Sequence, residues 1–178
     1  MVATRKSDRA FTLVELMMVV GIIGVLAALA LYGVSAYLRH SKTAEATRNL
    51  GAIENGERAQ YEIETVAGGA SAQTFYHEFC QPTTPVPASV PAASKYTSTA
   101  ADWTAPGWAC LKFTMNSPQY YSYSVSNNAG TGTGATYSAD AYGDLNGNGI
   151  QSTFQLDGFG GPTGDAVRQS LRIFNEDD

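Results

Sequence analysis

Hydrophobic positions along this chain change period twice. From Phe11 to Leu38 (FTLVELMMVVGIIGVLAALALYGVSAYL) they are almost continuous, and the one charge inside the run is Glu15. From Arg39 to Glu64 they thin to Ala44, Leu50, Ile53, Tyr61 and Ile63 among charged residues, an imperfect amphipathic spacing that predicts a continuing helix. From Gln119 to Ser126 they alternate, with Tyr121, Tyr123 and Val125 on one face and Ser122, Ser124 and Ser126 on the other, the signature of a half-buried strand.

The first stretch is long enough to matter as an anchor. A bilayer core about 30 Å thick takes roughly 20 apolar helical residues, and Leu16 to Leu38 supplies them without a charge or a proline. Arg5, Lys6 and Arg9 stand ahead of it against Asp8, a basic flank that stays cytoplasmic and sends the remainder across. In the second stretch Lys42 with Glu45, and Glu54 with Arg58, read as neighbours on a solvated helix face. Ala67-Gly68-Gly69 ends that helix.

Residues 65–107 read as a loop region, because PTTPVPASVPAAS at its centre suits no long element; Phe75, Tyr76 and Phe79 are its candidate packing contacts. Strands are expected at Trp108 to Met115, Gln119 to Ser126, Ala135 to Tyr142, Ile150 to Leu156 and Ser170 to Phe174, separated by glycine-rich turns. The fold class expected is α+β: a long N-terminal helix, amphipathic in its outer half, packed on a C-terminal antiparallel sheet of about four strands so that each covers the other's apolar face. The expected division is a basic leader at 1–10, an anchoring helix at 11–38 and one outer domain at 39–178, with helix at 39–64 and sheet at 108–178. The whole chain has 178 residues, which leaves no room for a second full domain.

Charge narrows the partners. Formal net charge is -5, and loss of residues 1–10, with three bases and one acid, makes it -7. Such a chain repels phosphate, so no nucleic-acid partner is expected.

Glu15 is the anomaly of the anchor. An ionised group in a membrane segment costs roughly 2.5 to 3.5 kcal/mol on insertion scales, so it is either paired or placed to reach the interface. The residues around it, a basic leader followed by Ala10-Phe11-Thr12-Leu13-Val14-Glu15-Leu16-Met17, resemble the class III signal of type IV pilins and of their type II secretion relatives, the pseudopilins. The resemblance covers about the first quarter of the chain. It implies cleavage between Ala10 and Phe11 by a prepilin peptidase, N-methylation of Phe11, and Glu15 as the carboxylate needed for assembly. It also implies a pilin-like fold, other pilin subunits and an inner-membrane assembly platform as partners, contact with membrane lipid before assembly, and a filament outside the inner membrane afterwards. The physical logic runs the same way: the new Phe11 ammonium and a neighbour's Glu15 are two buried charges that offset each other and fix subunit register. Ala10 stands where the family usually has Gly, and Tyr32 where many major pilins have a helix-bending Pro. The function expected is a structural subunit, a major or minor type IV pilin, with a type II secretion pseudopilin as the alternative.

The remaining chemistry is sparse. Cys80 and Cys110 both lie in the part expected to be translocated, where one disulfide is the default; the rival, His77, Cys80 and Cys110 as metal ligands, lacks a clear fourth. Neither His40 nor His77 belongs to a recognised hydrolase arrangement, and no enzyme activity is expected. Asp144-Leu145-Asn146-Gly147-Asn148-Gly149-Ile150 places oxygens at Asp144, Asn146 and Asn148 and a carbonyl at Ile150 as in the first half of an EF-hand loop, with Ser152 as a further ligand. Gln155 stands where the bidentate acid belongs, so an Asn/Gly-rich hairpin turn is the simpler reading of this candidate calcium loop. No cofactor is required. A reading of another class takes Ala28-Leu29-Ala30 as an ordinary signal-peptidase site, releasing a secreted or tethered binding domain; Glu15 and the apolar run from Leu31 to Leu38 speak against it.

Overall fold

The computed structural model describes residues 11–68, 73–128 and 130–176. The chain divides into two compact units, Met1–Leu38 and Arg39–Asp178. One helix, α1, runs Leu13–Tyr61 and contributes to both. In the first unit every side chain from Phe11 to Leu31 is exposed, as a strip of Leu, Val, Ile and Met with no partner of its own. The span Leu13–Leu31 is long and apolar enough to cross a membrane.

In the second unit the outer turns of α1 bury Thr43, Ala46, Leu50, Ile53, Glu57 and Tyr61, positions three and four apart that make one stripe. Two sequence expectations change here. Ala44 is exposed and Ala46 takes its place, and the helix stops at Tyr61, which leaves Ile63 exposed beyond it. The stripe also runs through a glutamate, Glu57, at the step where the spacing asks for an apolar residue.

The sheet that covers the stripe has four antiparallel strands in sequence order: β5 (Tyr121–Asn127), β6 (Thr136–Gly143), β7 (Ser152–Gly160) and β8 (Ala166–Phe174). Tyr121, Tyr123 and Val125 are buried, as the alternation predicts, beside Tyr137, Ala139, Ala141, Phe154 and Leu156 from the neighbouring strands. Aromatic rings lie over glycines in the strand beside them. Tyr121 is opposite Gly143 and Tyr137 opposite Gly158, where a Cβ would fall 2.6 and 2.3 Å from the ring carbons. The register shifts between Asp157 and Gly158, a bulge that bends the outermost pairing of β7 with β8.

Residues 62–117 are less bare than their composition suggests. Two short strands, β1 (Thr65–Ala67) and β2 (Thr74–Tyr76), form a hairpin, and β3 (Tyr96–Thr97) pairs with β4 (Pro118–Gln119). Phe79 packs in the core between Tyr61 and Tyr137, whereas Phe75, also expected to pack, is 56% exposed.

The strand expected from Trp108 to Met115 is not one. Its first part belongs to α2, Pro106–Leu111, with Pro106 preset for the opening turn. Lys112 closes α2 at φ 53°, where its amide bonds Ala109 O and the Phe113 amide bonds Trp108 O, a paired C-terminal lock that halts the helix and leaves 113–117 in neither helix nor strand. Trp108 then turns inward, donating to Thr84 O at 3.0 Å and packing with Trp103 and Phe113. Cys80 and Cys110 are joined across 30 residues, a loop closure worth roughly 3 to 4 kcal/mol on the chain-entropy model. That bond removes both thiolates from the rival metal set with His77, whose Nδ1–H donates to Tyr61 O at 2.7 Å instead.

Candidate functional site: the helix start at Thr12 and Glu15

Thr12 opens α1 as its N-cap. Its Oγ1 accepts from the Glu15 amide at 3.2 Å, while its own amide and hydroxyl both donate to Glu15 Oε2, at 2.9 and 2.8 Å. This is a capping box, in which an acid three residues into the helix satisfies the donors of the cap residue. A carboxylate also suits the positive end of the helix dipole. The sequence reading singled out Glu15 and passed over Thr12. The signal was present as T-x-x-E directly ahead of an apolar run.

The arrangement does two things chemically. It holds the Glu15 carboxylate within one turn of Phe11, which is 81% exposed, and it gives that carboxylate local donors in the single chain. Beyond it the helix offers no side chain but apolar and small ones as far as Leu31. Gly21, Gly24 and Gly33 have nothing within 4 Å where a Cβ would stand, so the helix has flat spots where another backbone can approach. Ala10, the other residue of the expected cut, lies outside the described residues.

The other expected site is split. Asp144, Asn146, Asn148 and Ile150 do share one loop, wound about the Asp144 carboxylate. Its Oδ1 accepts from the Gly147 and Asn148 amides at 2.7 and 3.2 Å, and its Oδ2 from Gly149 at 3.0 Å. Asn146 and Asn148 each accept from the amide two residues on, as Asx turns. Ser152 is elsewhere: fully buried at the start of β7, it donates to Gly143 O at 3.1 Å. Among the described residues no three His, Cys, Asp or Glu side chains gather to hold a metal.

Within the domain the unusual electrostatics are structural. Glu57 is fully buried; its Oε2 accepts the Cys80 amide at 2.9 Å and its Oε1 has no partner, so burial pushes its acid up to about 7. Burial and the nearby Asp157 raise Asp140, 8% exposed on the β6 strand, to about 6. Burial raises Glu45 too, although the Tyr120 amide and the Tyr123 hydroxyl both donate to it.

The helix start is where comparison with known proteins finds a counterpart. Residues 5–31 match the family model described as the prokaryotic N-terminal methylation motif. The chain therefore carries the class III signal of type IV pilins and pseudopilins, and the described part of that match holds the capped, exposed, apolar helix Leu13–Leu31. That motif implies processing by a prepilin peptidase and assembly with other pilins, and it fits a membrane-anchored precursor. No curated protein and no solved structure matches the chain.

Proposed function

We propose that this chain is a structural subunit of a type IV pilus-like filament, made as an N-in membrane precursor, cut between Ala10 and Phe11 and methylated on Phe11. The observation that carries the reading is the coincidence of the methylation motif over residues 5–31 with a helix whose apolar surface, from Leu13 to Leu31, has no partner in its own unit. Such a surface is stable in lipid before assembly and against copies of itself afterwards. In the precursor, Thr12 satisfies Glu15. After the cut the Phe11 amine becomes an ammonium, and a neighbouring subunit's Glu15 is its natural counter-ion, because any other stagger leaves two charges unpaired in a medium that solvates neither. The role is structural and needs no active site.

The test is the intact mass and N-terminal sequence of the protein recovered from its own cell envelope. A chain beginning at N-methylated Phe11 is the expected result. A chain beginning at Leu31 would mean ordinary secretion, and an unprocessed one a simple anchor; either would refute the proposal. Glu15→Ala should be cut normally and be missing from filaments, and its entry at the normal level would remove the role given to Glu15.

A further inference from the structure

Asn-Gly occurs three times in the chain, at Asn55-Gly56, Asn146-Gly147 and Asn148-Gly149. In this dipeptide the backbone nitrogen can attack the preceding side-chain amide, because glycine has no Cβ to block the approach. All three asparagines are exposed, so solvent access does not separate them. Their backbones do. Asn55 lies inside α1, where the helix ladder takes up the Gly56 amide. The other two share the loop between β6 and β7, and there each meets the same set of groups. The Gly149 amide donates to Asp144 Oδ2 at 3.0 Å, and the Gly147 amide to Asp144 Oδ1 at 2.7 Å. The Asn148 side-chain oxygen accepts from the Ile150 amide at 2.6 Å, and that of Asn146 from the Asn148 amide at 2.9 Å. A side chain bonded to the amide two residues on lies across the amide between, which in both pairs is the glycine nitrogen. The carboxylate itself is fixed: Asp144 is 4% exposed, and the Ala93 amide donates to its carbonyl at 2.8 Å. The Asn148 amide also donates to Asp144 Oδ1 at 3.2 Å, so it is the less committed donor of the two and Asn146 the slower site.

We propose that Asn146 and Asn148 are sites of intramolecular deamidation, with Asp144 as the base. At Asn148 the Gly149 nitrogen bonds to Cγ as its proton passes to Asp144 Oδ2, and the negative charge that develops on the Asn148 side-chain oxygen meets the Ile150 amide. The Cγ–Nδ2 bond then breaks, the proton held by Asp144 leaves with Nδ2 as ammonia, and a five-membered succinimide ring remains. Water opens that ring at either carbonyl, giving aspartate or isoaspartate and restoring the glycine N–H. The sum is one water consumed, one ammonia released and one negative charge gained at each site. At Asn146 the Gly147 nitrogen, Asp144 Oδ1 and the Asn148 amide take the same parts. Nucleophile, base and oxyanion donor are thus already in mutual reach, which is the geometry asked of a reactive site. The reaction changes the charge of an exposed loop as the protein ages. It requires no other protein and stands independently of the filament reading.

The test ages the full chain in detergent micelles at neutral pH with the disulfide intact, then maps it by mass after digestion, reading a gain of about one dalton at each asparagine. Asn148 should react first and Asn146 next, both about tenfold faster than in the chain unfolded in guanidinium, a modest factor because a carboxylate is a weak base. Asn55, equally exposed but helical, should stay intact. Asp144→Asn keeps an oxygen to accept from the amides but cannot take a proton, and it should slow both sites about tenfold. Ile150→Pro removes the donor at Asn148 alone and should slow that site while Asn146 keeps its rate. Isoaspartate beside aspartate in the product is expected of the ring. If the folded chain reacts more slowly than the unfolded one, or Asp144→Asn faster than the native, the loop protects these amides and the proposal is overturned. Aspartate without isoaspartate, or native speed at Asn148 in Ile150→Pro, overturns it as well.

Discussion

Replacing Glu57 with Gln should make the domain more stable at pH 8 and leave it almost unchanged near pH 4.5. Glu57 sits on the buried stripe of α1 with no exposure, and only the Cys80 amide answers its carboxylate. Desolvation raises its acid from 4.5 to about 7 in the folded chain. A group whose folded value is raised keeps its full stabilising contribution below the unfolded value and loses it as pH climbs through the folded one. The native chain should therefore lose stability between about pH 4.5 and 7, by on the order of 3 kcal/mol, and level off above. Gln has the same shape, can accept from the Cys80 amide and carries no charge to desolvate. Its advantage should grow from near zero at pH 4.5 to about 2 to 3 kcal/mol at pH 8, less whatever its new amide loses by going unbonded. The assay is urea unfolding of the full chain in detergent micelles with the disulfide intact, read by the emission of Trp103 and Trp108, which are 4% and 0% exposed in the same core. Asp140 titrates in an overlapping window, since its acid is raised to about 6, but it does so in both proteins and drops out of the difference. If native and variant lose stability in parallel from pH 5 to 8, the buried-charge argument is wrong.

Two glycines of one helix should respond oppositely to Ala. A Cβ on Gly56 would stand 2.6 Å from Leu111 O, backbone of the α2 terminus that cannot swing aside, so Gly56→Ala should cost about 1 to 3 kcal/mol despite the better helix former; at Gly51 nothing lies within 4 Å, and Gly51→Ala should gain up to about 1 kcal/mol. Thermal unfolding of the two variants in micelles checks the pair, and equal signs would sink it. For the Asp144 loop, the amides already gathered on the carboxylate predict a turn held by its own chain: Asp144→Ala should destabilise by about 2 to 3 kcal/mol, and calorimetric titration with millimolar calcium should show no heat. Heat that disappears in Asp144→Ala would instead make this loop a calcium site.

What was legible in the sequence was what short-range periodicity encodes. A near-continuous apolar run and a clean alternation each define their element without reference to the remainder of the chain, so the anchoring helix and the strand at Tyr121 could be read directly. The misreadings have a common cause, since at each a distant neighbour decides. Trp108 to Met115 alternates well enough to pass for a strand, but Pro106 and the lock at Lys112 make its first half a helix, and the bond from Cys110 to Cys80 ties that helix across the loop. Ala44 and Ala46 are equally apolar, and only the sheet packed against α1 chooses between them. Glu54, read with Arg58 as part of a solvated face, is instead 7% exposed and lies 3.6 Å from Arg168 of β8. At the helix start the legible residue was the charged one, while Thr12, which donates to it, carries no charge to draw attention.

The apolar surface left uncovered on the helix bears on how copies would meet in the filament we propose. The strip from Leu13 to Leu31 is apolar all round, so packing alone lets a neighbour slide or rotate along it with little change in buried area; sequence-independent burial is a poor setter of register. Point features must do that work. In the filament we propose, Glu15 with the Phe11 amine would be one, acting through charge at one end of the helix. Loss of Glu15 should then lower filament yield while leaving the cut before Phe11 intact, and Glu15→Ala filaments at the native yield would mean that some other feature sets the register.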